Sequence, residues 1–381
     1  MTETLRVVHL MDHVISAYGG TEQHMIWLQN HLPRDQFELH FLVFSQFDAS
    51  PEAFPISPYN LGQVFGNNKW SYLKRFNALV RYLCEHNIDL LHAFSPVDEL
   101  FACYAARSAQ KKLRKKIAIV GHRRNIGFAL NRKLLLMGRL TRKFPIAYLA
   151  NSRAAIEAAF EKEGIAKERF TVIYNPVSKS RFEAGLASPM TRAELGVDEN
   201  AFLIGSIATI RRIKGFETLV RAAKSVVERH PTAHFLCIGK QGDAEYLAEL
   251  RTLAAELGLT NHITWFGDVD NPYRVLPNFD LAVLASHSES FSNSVLEYAA
   301  SGRPIVASNV GGMPEIITDG TNGFLVPAKE PERLAEKIVT LIENPVLRRS
   351  FAEQAAETAR KHFDETDILR QYCDFYRAAA R

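Results

Sequence analysis

At 381 residues the chain exceeds the size at which one hydrophobic core stops growing, so two domains are expected. Hydrophobic residues at 47%, charged residues at 23% and a net charge of +4 describe an ordinary soluble globular protein. No apolar segment reaches bilayer-spanning length, and residues 5–10 follow the start without a basic n-region or cleavage-like site, so neither a span nor a secretory leader is expected. Cys84, Cys103, Cys237 and Cys373 are scattered without metal-ligand spacing, which points to a reduced, cytosolic compartment.

The first half alternates apolar runs with helical patterns. Strands are predicted at 5–10, 37–44, 88–93, 117–120, 146–150 and 170–174, with helices between several of them, such as 22–32 and 72–86. That alternation implies an α/β architecture with a parallel, doubly wound sheet. Between the first strand and first helix lies Ala17-Tyr18-Gly19-Gly20-Thr21-Glu22. Paired glycines let a backbone approach a ligand, and they equally suit a plain tight turn. Val120-Gly121-His122-Arg123-Arg124-Asn125 closes a later strand. A histidine at a strand's carboxyl end can hydrogen-bond a sugar hydroxyl or meet developing charge. It can also be structural, and Arg123 and Arg124 are alternative candidates.

Residues 107–143 hold thirteen Lys or Arg and no Asp or Glu, a marked asymmetry in a chain of net charge +4. Within them, 131–144 mixes apolar and basic residues. Such a segment can lie on an anionic membrane surface, at about 1 kcal/mol per close basic residue. Alternatively it is a solvated basic face whose leucines pack inward. Stacking aromatics and docking motifs do not accompany it, so nucleic acid is not expected as a partner.

Asn151-Ser152-Arg153 starts a helix capped by Asn or Ser, and Asn175-Pro176 breaks regular structure. A strand at 201–208 leads into Thr209-Ile210-Arg211-Arg212-Ile213-Lys214-Gly215-Phe216 and a helix at 216–230. Cations in a loop at a strand's carboxyl end can hold a diphosphate and neutralise charge as it departs. The strand at 233–238 runs into Gly239-Lys240-Gln241-Gly242-Asp243, a weak signal that a plain turn also explains. Further strands are predicted at 262–266 and 279–285.

After the last of these comes the most informative stretch, Ser286-His287-Ser288-Glu289-Ser290-Phe291-Ser292-Asn293-Ser294-Val295-Leu296-Glu297. Ligands of such strand–loop–helix units bind at the strands' carboxyl ends. Ser292 or Asn293 suits the helix N-cap, which would leave the N–H groups of Ser294 and Val295 facing the loop as an anion site. Glu289 precedes the helix and Glu297 lies about one turn inside it, so the two acids flank that site. A sugar nucleotide has this layout. Glu289 can take hexose hydroxyls, the N–H groups phosphate oxygens, and Glu297 ribose hydroxyls. One exposed acid on a helix beside an acidic loop is the alternative.

Glu289-Ser290-Phe291 through Leu296-Glu297-Tyr298-Ala299, two glutamates separated by seven residues, resembles the donor-site signature of glycosyltransferase family 4. These are the retaining GT-B glycosyltransferases, also called glycosyl transferases group 1. The likeness continues through Gly302-Arg303-Pro304-Ile305-Val306-Ala307 and Val310-Gly311-Gly312-Met313-Pro314-Glu315-Ile316. It implies a GT-B fold, two Rossmann-like doubly wound parallel-sheet domains facing a central cleft. Residues 1–176 would form the acceptor-side domain and 177–364 the donor-binding domain, with a hinge near 175–180 and a last helix, 365–381, packing back on the first.

The resemblance further implies a retaining hexosyltransferase that uses a nucleotide diphosphate sugar as donor substrate and has no cofactor. Glu289 would bind the donor sugar. Lys214 matches the family's Lys-Gly position and, with Arg211 three residues before it, would stabilise the departing diphosphate, leaving Arg212 to solvent. Many relatives carry Gly-Arg where this chain has Ala208-Thr209. Gly19 and Gly20 match the first-domain Gly-Gly loop, Gly239 the glycine turn near the nucleotide, and His122 the cleft histidine. Ser290, Phe291, Asn293, Ser294, Val295 and Glu297 complete the substrate contacts. Residues suited to a metal-bound diphosphate, such as an Asp-x-Asp, are not apparent, so the cations are expected to do that work without Mg²⁺, in a metal-independent enzyme.

The implied acceptor is a sugar, glycolipid or polysaccharide, in cell-surface polysaccharide, lipopolysaccharide or glycolipid synthesis. The implied location is cytoplasmic, with the basic stretch as a peripheral contact on the inner face of the cell membrane. A GT-B nucleotide-sugar epimerase and a non-catalytic membrane-binding protein are the alternatives. A dinucleotide-dependent oxidoreductase would carry Gly-x-Gly-x-x-Gly after its first strand with an acid about twenty residues on, and the chain lacks it.

Overall fold

In the computed structural model, which describes residues 4–14, 20–66, 71–126 and 132–381, the apolar runs form strands and the patterned segments between them form helices. Backbone contacts divide the chain into two units, Met1–Tyr174 with Thr366–Arg381, and Asn175–Glu365.

The first unit is built on β1 (Leu5–Val14), β2 (Phe37–Phe47), β3 (Tyr59–Asn60), β4 (Leu90–Ala93), β5 (Ala118–Arg123), β6 (Ile146–Ala150) and β7 (Phe170–Val172). They make a seven-stranded sheet in the order β3-β2-β1-β4-β5-β6-β7, parallel throughout. Alternation sends successive side chains to opposite faces. Val7, Leu90 and Val120 thus join one core, while Val8, Leu91 and Ile119 join the other. The helix Glu365–Ala380 supplies Ile368, Tyr372, Cys373 and Tyr376 to the first of these cores. Leu79, Leu83, Ala102 and Ala106, from the helices Ser71–Glu85 and Pro96–Leu113, fill the second. Each large apolar side chain so buried contributes about 1.5–3 kcal/mol relative to exposure.

The second unit has β8 (Phe202–Ile207), β9 (Ala233–Ile238), β10 (Ile263–Gly267), β11 (Leu281–Leu284), β12 (Ile305–Ser308) and β13 (Phe324–Val326). Their order is β10-β9-β8-β11-β12-β13, again parallel. The helix Phe216–Arg229 lays Phe216, Leu219, Val220, Ala223 and Val226 into this core at three- and four-residue spacing. From β8 the chain winds outward to β10 and then returns to place β11 on the other side of β8. The strand order reverses between β8 and β11, and in open α/β sheets ligands bind beyond the strand ends at such a point. The short strands β3 and β13 were not expected.

Candidate active site

The loops leaving β8 and β11 meet at this switch point. The His287 N–H donates to the Ile213 carbonyl at 2.8 Å, tying one loop to the other. Lys214 closes the short turn Arg212–Lys214, and its Nζ lies 2.6 Å from Glu289 Oε1. The same oxygen accepts from Ser286 Oγ at 2.7 Å, and Ser286 is fully buried. The Glu289 side chain is 9% exposed and that of Lys214 26%, so their attraction is only partly screened.

A third loop presses on the acid from the end of β12. Gly311 has φ +51°, and a Cβ built there would lie 1.6 Å from the Glu289 carbonyl oxygen. Only glycine allows both the left-handed backbone and this approach.

The helix Asn293–Ala300 follows the acid. Ser292 is its N-cap, and Ser292 Oγ accepts from the Val295 N–H at 3.3 Å. The expectation that the Val295 N–H faces the loop unoccupied is therefore corrected, because the cap satisfies it. Asn293 instead accepts at Oδ1 from Asn175 Nδ2 at 2.6 Å, and Ser294 is half-buried. Tyr298 anchors the helix to β8, its hydroxyl accepting from the Ile207 N–H at 2.6 Å. Ser290 is buried, and the buried Phe291 ring packs against Phe363.

Glu297 sits one turn into the helix with its side chain 15% exposed. Burial pushes its carboxyl up to about 7, opposed by the Arg181 guanidinium, whose Nη1 is 3.9 Å from Oε1. Arg181 is a neighbour the sequence did not announce, since it lies more than a hundred residues away.

Among the cations, Arg212 pairs with Glu249 at 2.5 Å and stacks over Tyr246. Arg211 is exposed and crosses the turn after β9, where a Cβ on Gly242 would lie 2.8 Å from its Nε. Gly239 has φ +152°, and a Cβ there would lie 2.0 Å from the Ala208 carbonyl oxygen just past β8, while its N–H donates to the Gly267 carbonyl of β10 at 2.6 Å. The expectation that the chain has no Asp-x-Asp is corrected, because Asp268-Val269-Asp270 follows β10. Asp268 accepts from the Val269 N–H, and the exposed Asp270 faces Arg274 at 3.6 Å. Among the described residues no group of three or more His, Cys, Asp or Glu is placed to hold a metal ion.

In the first unit Gly19 lies outside the described residues. Gly20 is the first residue of the helix Gly20–His31, and its carbonyl accepts from Arg124 Nη2 at 3.2 Å. His122 is buried at the end of β5, with Nδ1 3.2 Å from His92 Nε2. Its Nε2 has no hydrogen-bond partner among the described residues. Burial, then the Arg124 charge, keeps the imidazole well below its ordinary range and therefore neutral.

Arg123 is corrected as an alternative to His122. It points to the opposite face of β5, where it is buried and paired with Glu99 and with Glu163, the latter at 2.8 Å. Removing one partner of such an arrangement typically costs about 3–5 kcal/mol, so Arg123 is a structural residue.

The basic stretch is only partly a free surface. Lys115 Nζ is 2.6 Å from Asp89, Arg142 donates to the Glu163 carbonyl, and Lys143 lies over Tyr104 and Phe144. Lys111, Lys112, Arg114, Lys116 and Arg139 are exposed. So are Leu136 and Leu140 of the helix Arg132–Thr141, at 57% and 46%. No helix among the described residues is long and apolar enough to cross a membrane.

Residues 18–181 match the model for Glycosyltransferase Family 4, and residues 188–358 that for Glycosyl transferases group 1. A D-inositol 3-phosphate glycosyltransferase of Corynebacterium kroppenstedtii is 29% identical over 225 residues, covering 56% of this chain and 49% of that protein. The chain spans about half the length of the first curated relatives it matches. Anabaena HepE in complex with UDP is similar in structure, with a TM-score of 0.81 at 23% identity over 98% of this chain and 100% of that one. HepE with UDP-glucose gives 0.78. A glycosyltransferase from Rickettsia africae ESF-5 gives a TM-score of 0.82 at 18% identity over 100% of both chains. With the two family models following one another along its length and both parallel sheets matched in these folds, the chain belongs to glycosyltransferase family 4 and has the GT-B fold.

Proposed function

We propose that the protein transfers a hexose from a nucleotide diphosphate sugar to an acceptor hydroxyl with retained anomeric configuration. The observation that carries this reading is the Lys214–Glu289 pair at the β8/β11 switch point, held by Ser286 and Gly311. Glu289 takes the donor sugar's hydroxyls. Lys214 and Arg211 neutralise charge on the diphosphate as the bond from the sugar C1 to its oxygen breaks. A new bond forms from C1 to the acceptor oxygen, whose proton is released. The helix from Asn293 contributes its dipole, worth about 0.3–2 kcal/mol towards an anion according to burial, with Ser294 nearest the phosphates. Glu297 holds the ribose, beside Gly239, Ser290, Phe291 and Asn293. Gly19 and Gly20 contact the donor, and His122 hydrogen-bonds the sugar.

In this reading the cations do the work without a metal ion, and the acceptor is a sugar, glycolipid or polysaccharide in cell-surface glycan synthesis. The basic stretch then rests on an anionic membrane surface. Support comes from HepE, solved with UDP and with UDP-glucose, and from the family match.

The test is a thermal-shift screen of UDP-, GDP-, ADP- and dTDP-sugars, since a ligand of the native state raises apparent stability. It is followed by NMR of the product formed with glycolipid and oligosaccharide acceptors. One donor should raise the midpoint and yield a glycoside of unchanged anomeric configuration. Stabilisation by none of them overturns the proposal, and so does an epimerised donor without transfer.

A further inference from the structure

Three histidines line one face of the first unit's sheet. His9 on β1 is directly opposite His92 on β4, which is opposite Val120 on β5, with His122 two residues further on. A period of two puts His92 and His122 on the same face, and the helix Glu365–Ala380 covers that face with Tyr376. All four side chains are buried.

The Tyr376 hydroxyl lies 2.6 Å from His92 Nδ1 and 3.3 Å from His9 Nε2, and His92 Nε2 is 3.2 Å from His122 Nδ1. A phenol has one proton to give. The shorter distance suits an O–H donor and the longer one a weak N–H donor, so the phenol donates to His92 and accepts from His9. A neutral imidazole carries one N–H, and the bond made by one nitrogen decides the state of the other. His92 is then protonated at Nε2 and donates to His122 Nδ1, which leaves the His122 proton on Nε2.

Burial holds all three imidazoles below their ordinary range, His9 to about 3, with Arg34 adding to His9 and Arg124 to the other two. It also raises Tyr376 well above the usual phenol range, so the phenol keeps its proton.

We propose that Tyr376, through His92, is a positioning residue that fixes His122 in the Nε2–H tautomer, so that His122 offers a hydrogen-bond donor rather than an acceptor. The use of that donor, to an oxygen of the donor sugar, rests on the role proposed above for His122, whereas the tautomer does not. The relay gives the C-terminal helix a part in the chemistry beyond filling a core.

The experiment is long-range proton–nitrogen correlation NMR of the full chain labelled with 15N-histidine, His122 being assigned through His122→Asn. The wild-type spectrum should show His122 protonated at Nε2. In Tyr376→Phe the signals should move towards the Nδ1–H form, and kcat should fall about tenfold, as on losing a partner that orients a site residue, with the donor KM within about twofold. Tyr372→Phe, which removes the equivalent 2.8 Å contact to His24, should leave the His122 signals and kcat unchanged. An Nδ1–H His122 in the wild type overturns the relay even if Tyr376→Phe does not fold. A tautomer indifferent to Tyr376→Phe also overturns it. A moved tautomer with unchanged kcat overturns the use of the donor and leaves the relay standing.

Discussion

Lys214 Nζ and Glu289 Oε1 are 2.6 Å apart, so the cation and the acid proposed for opposite ends of the leaving bond are each other's partner. The pair keeps both charges compensated and aimed at one point. A donor sugar would exchange the ion pair for hydroxyl contacts on Glu289 and a diphosphate on Lys214. Glu289→Ala and Lys214→Ala are each expected to lower turnover at least about 100-fold, the scale of losing one preorganised group. Because the two act on a common contact, the double variant should fall much less than the product of the singles. Near-normal turnover in either purified, folded variant would refute the assignment.

Gly311→Ala tests the loop behind the acid. With φ +51° and the Glu289 carbonyl 1.6 Å from the new Cβ, the Glu289 backbone must move. Displacement of about 1 Å at a reacting centre can cost about 100-fold, and turnover should drop on that scale. Gly320→Ala is the control. Its φ is +71° and nothing lies within 4 Å, so it should lose about 1–2 kcal/mol of stability from left-handed strain and keep its turnover. Equal kinetics in the two variants would remove the role given to Gly311.

Glu297 makes stability depend on pH. Its carboxyl titrates near 7 in the folded chain against 4.5 ordinarily, so between those values the folded state binds the additional proton. Stability from this group is full below pH 4.5 and is lost as pH rises to about 7, by roughly 3 kcal/mol at most. Glu297→Gln, which stays neutral, should unfold at higher denaturant than the wild type at pH 8 and at the same concentration at pH 5. The same difference at both pH values would show that Glu297 is ionised throughout.

Leu136 and Leu140 lie on one side of the helix Arg132–Thr141, with Arg139 exposed beside them. Co-sedimentation with vesicles containing anionic lipid should be strong at low salt and weak at high salt, since each close basic residue contributes about 1 kcal/mol. Leu136→Glu with Leu140→Glu should weaken it further. Equal recovery with neutral vesicles, or indifference to salt, would dismiss the membrane surface without touching the enzymatic reading.

Much of this architecture was legible because parallel strands buried on both faces appear as short apolar runs, and helices as patterned segments between them. The runs at 233–238 and 146–150 coincide with β9 and β6. Glu289, Glu297 and Lys214-Gly215 could be picked out because each lies in the loop or the first helical turns that follow a strand, close to its neighbours in the chain. Ser292 or Asn293 stayed open in the sequence, since both residue types cap helices equally well. The fold chose Ser292 by giving Asn293 to Asn175. Arg123 was an alternative to His122, and one step of strand alternation sent it to two buried carboxylates instead.

By itself the sequence determined the class of the fold, the family and the loops proposed for the site, because these depend on hydrophobic period and on groups close together in the chain. Only the tertiary structure decided which groups share a proton or a charge. Ser286 and Lys214 on one oxygen of Glu289, Arg181 beside Glu297, and Tyr376 on His92 are pairings made by strand order and helix packing. A hydrogen bond or ion pair acts over about 3 Å of space, whatever the number of residues between its partners.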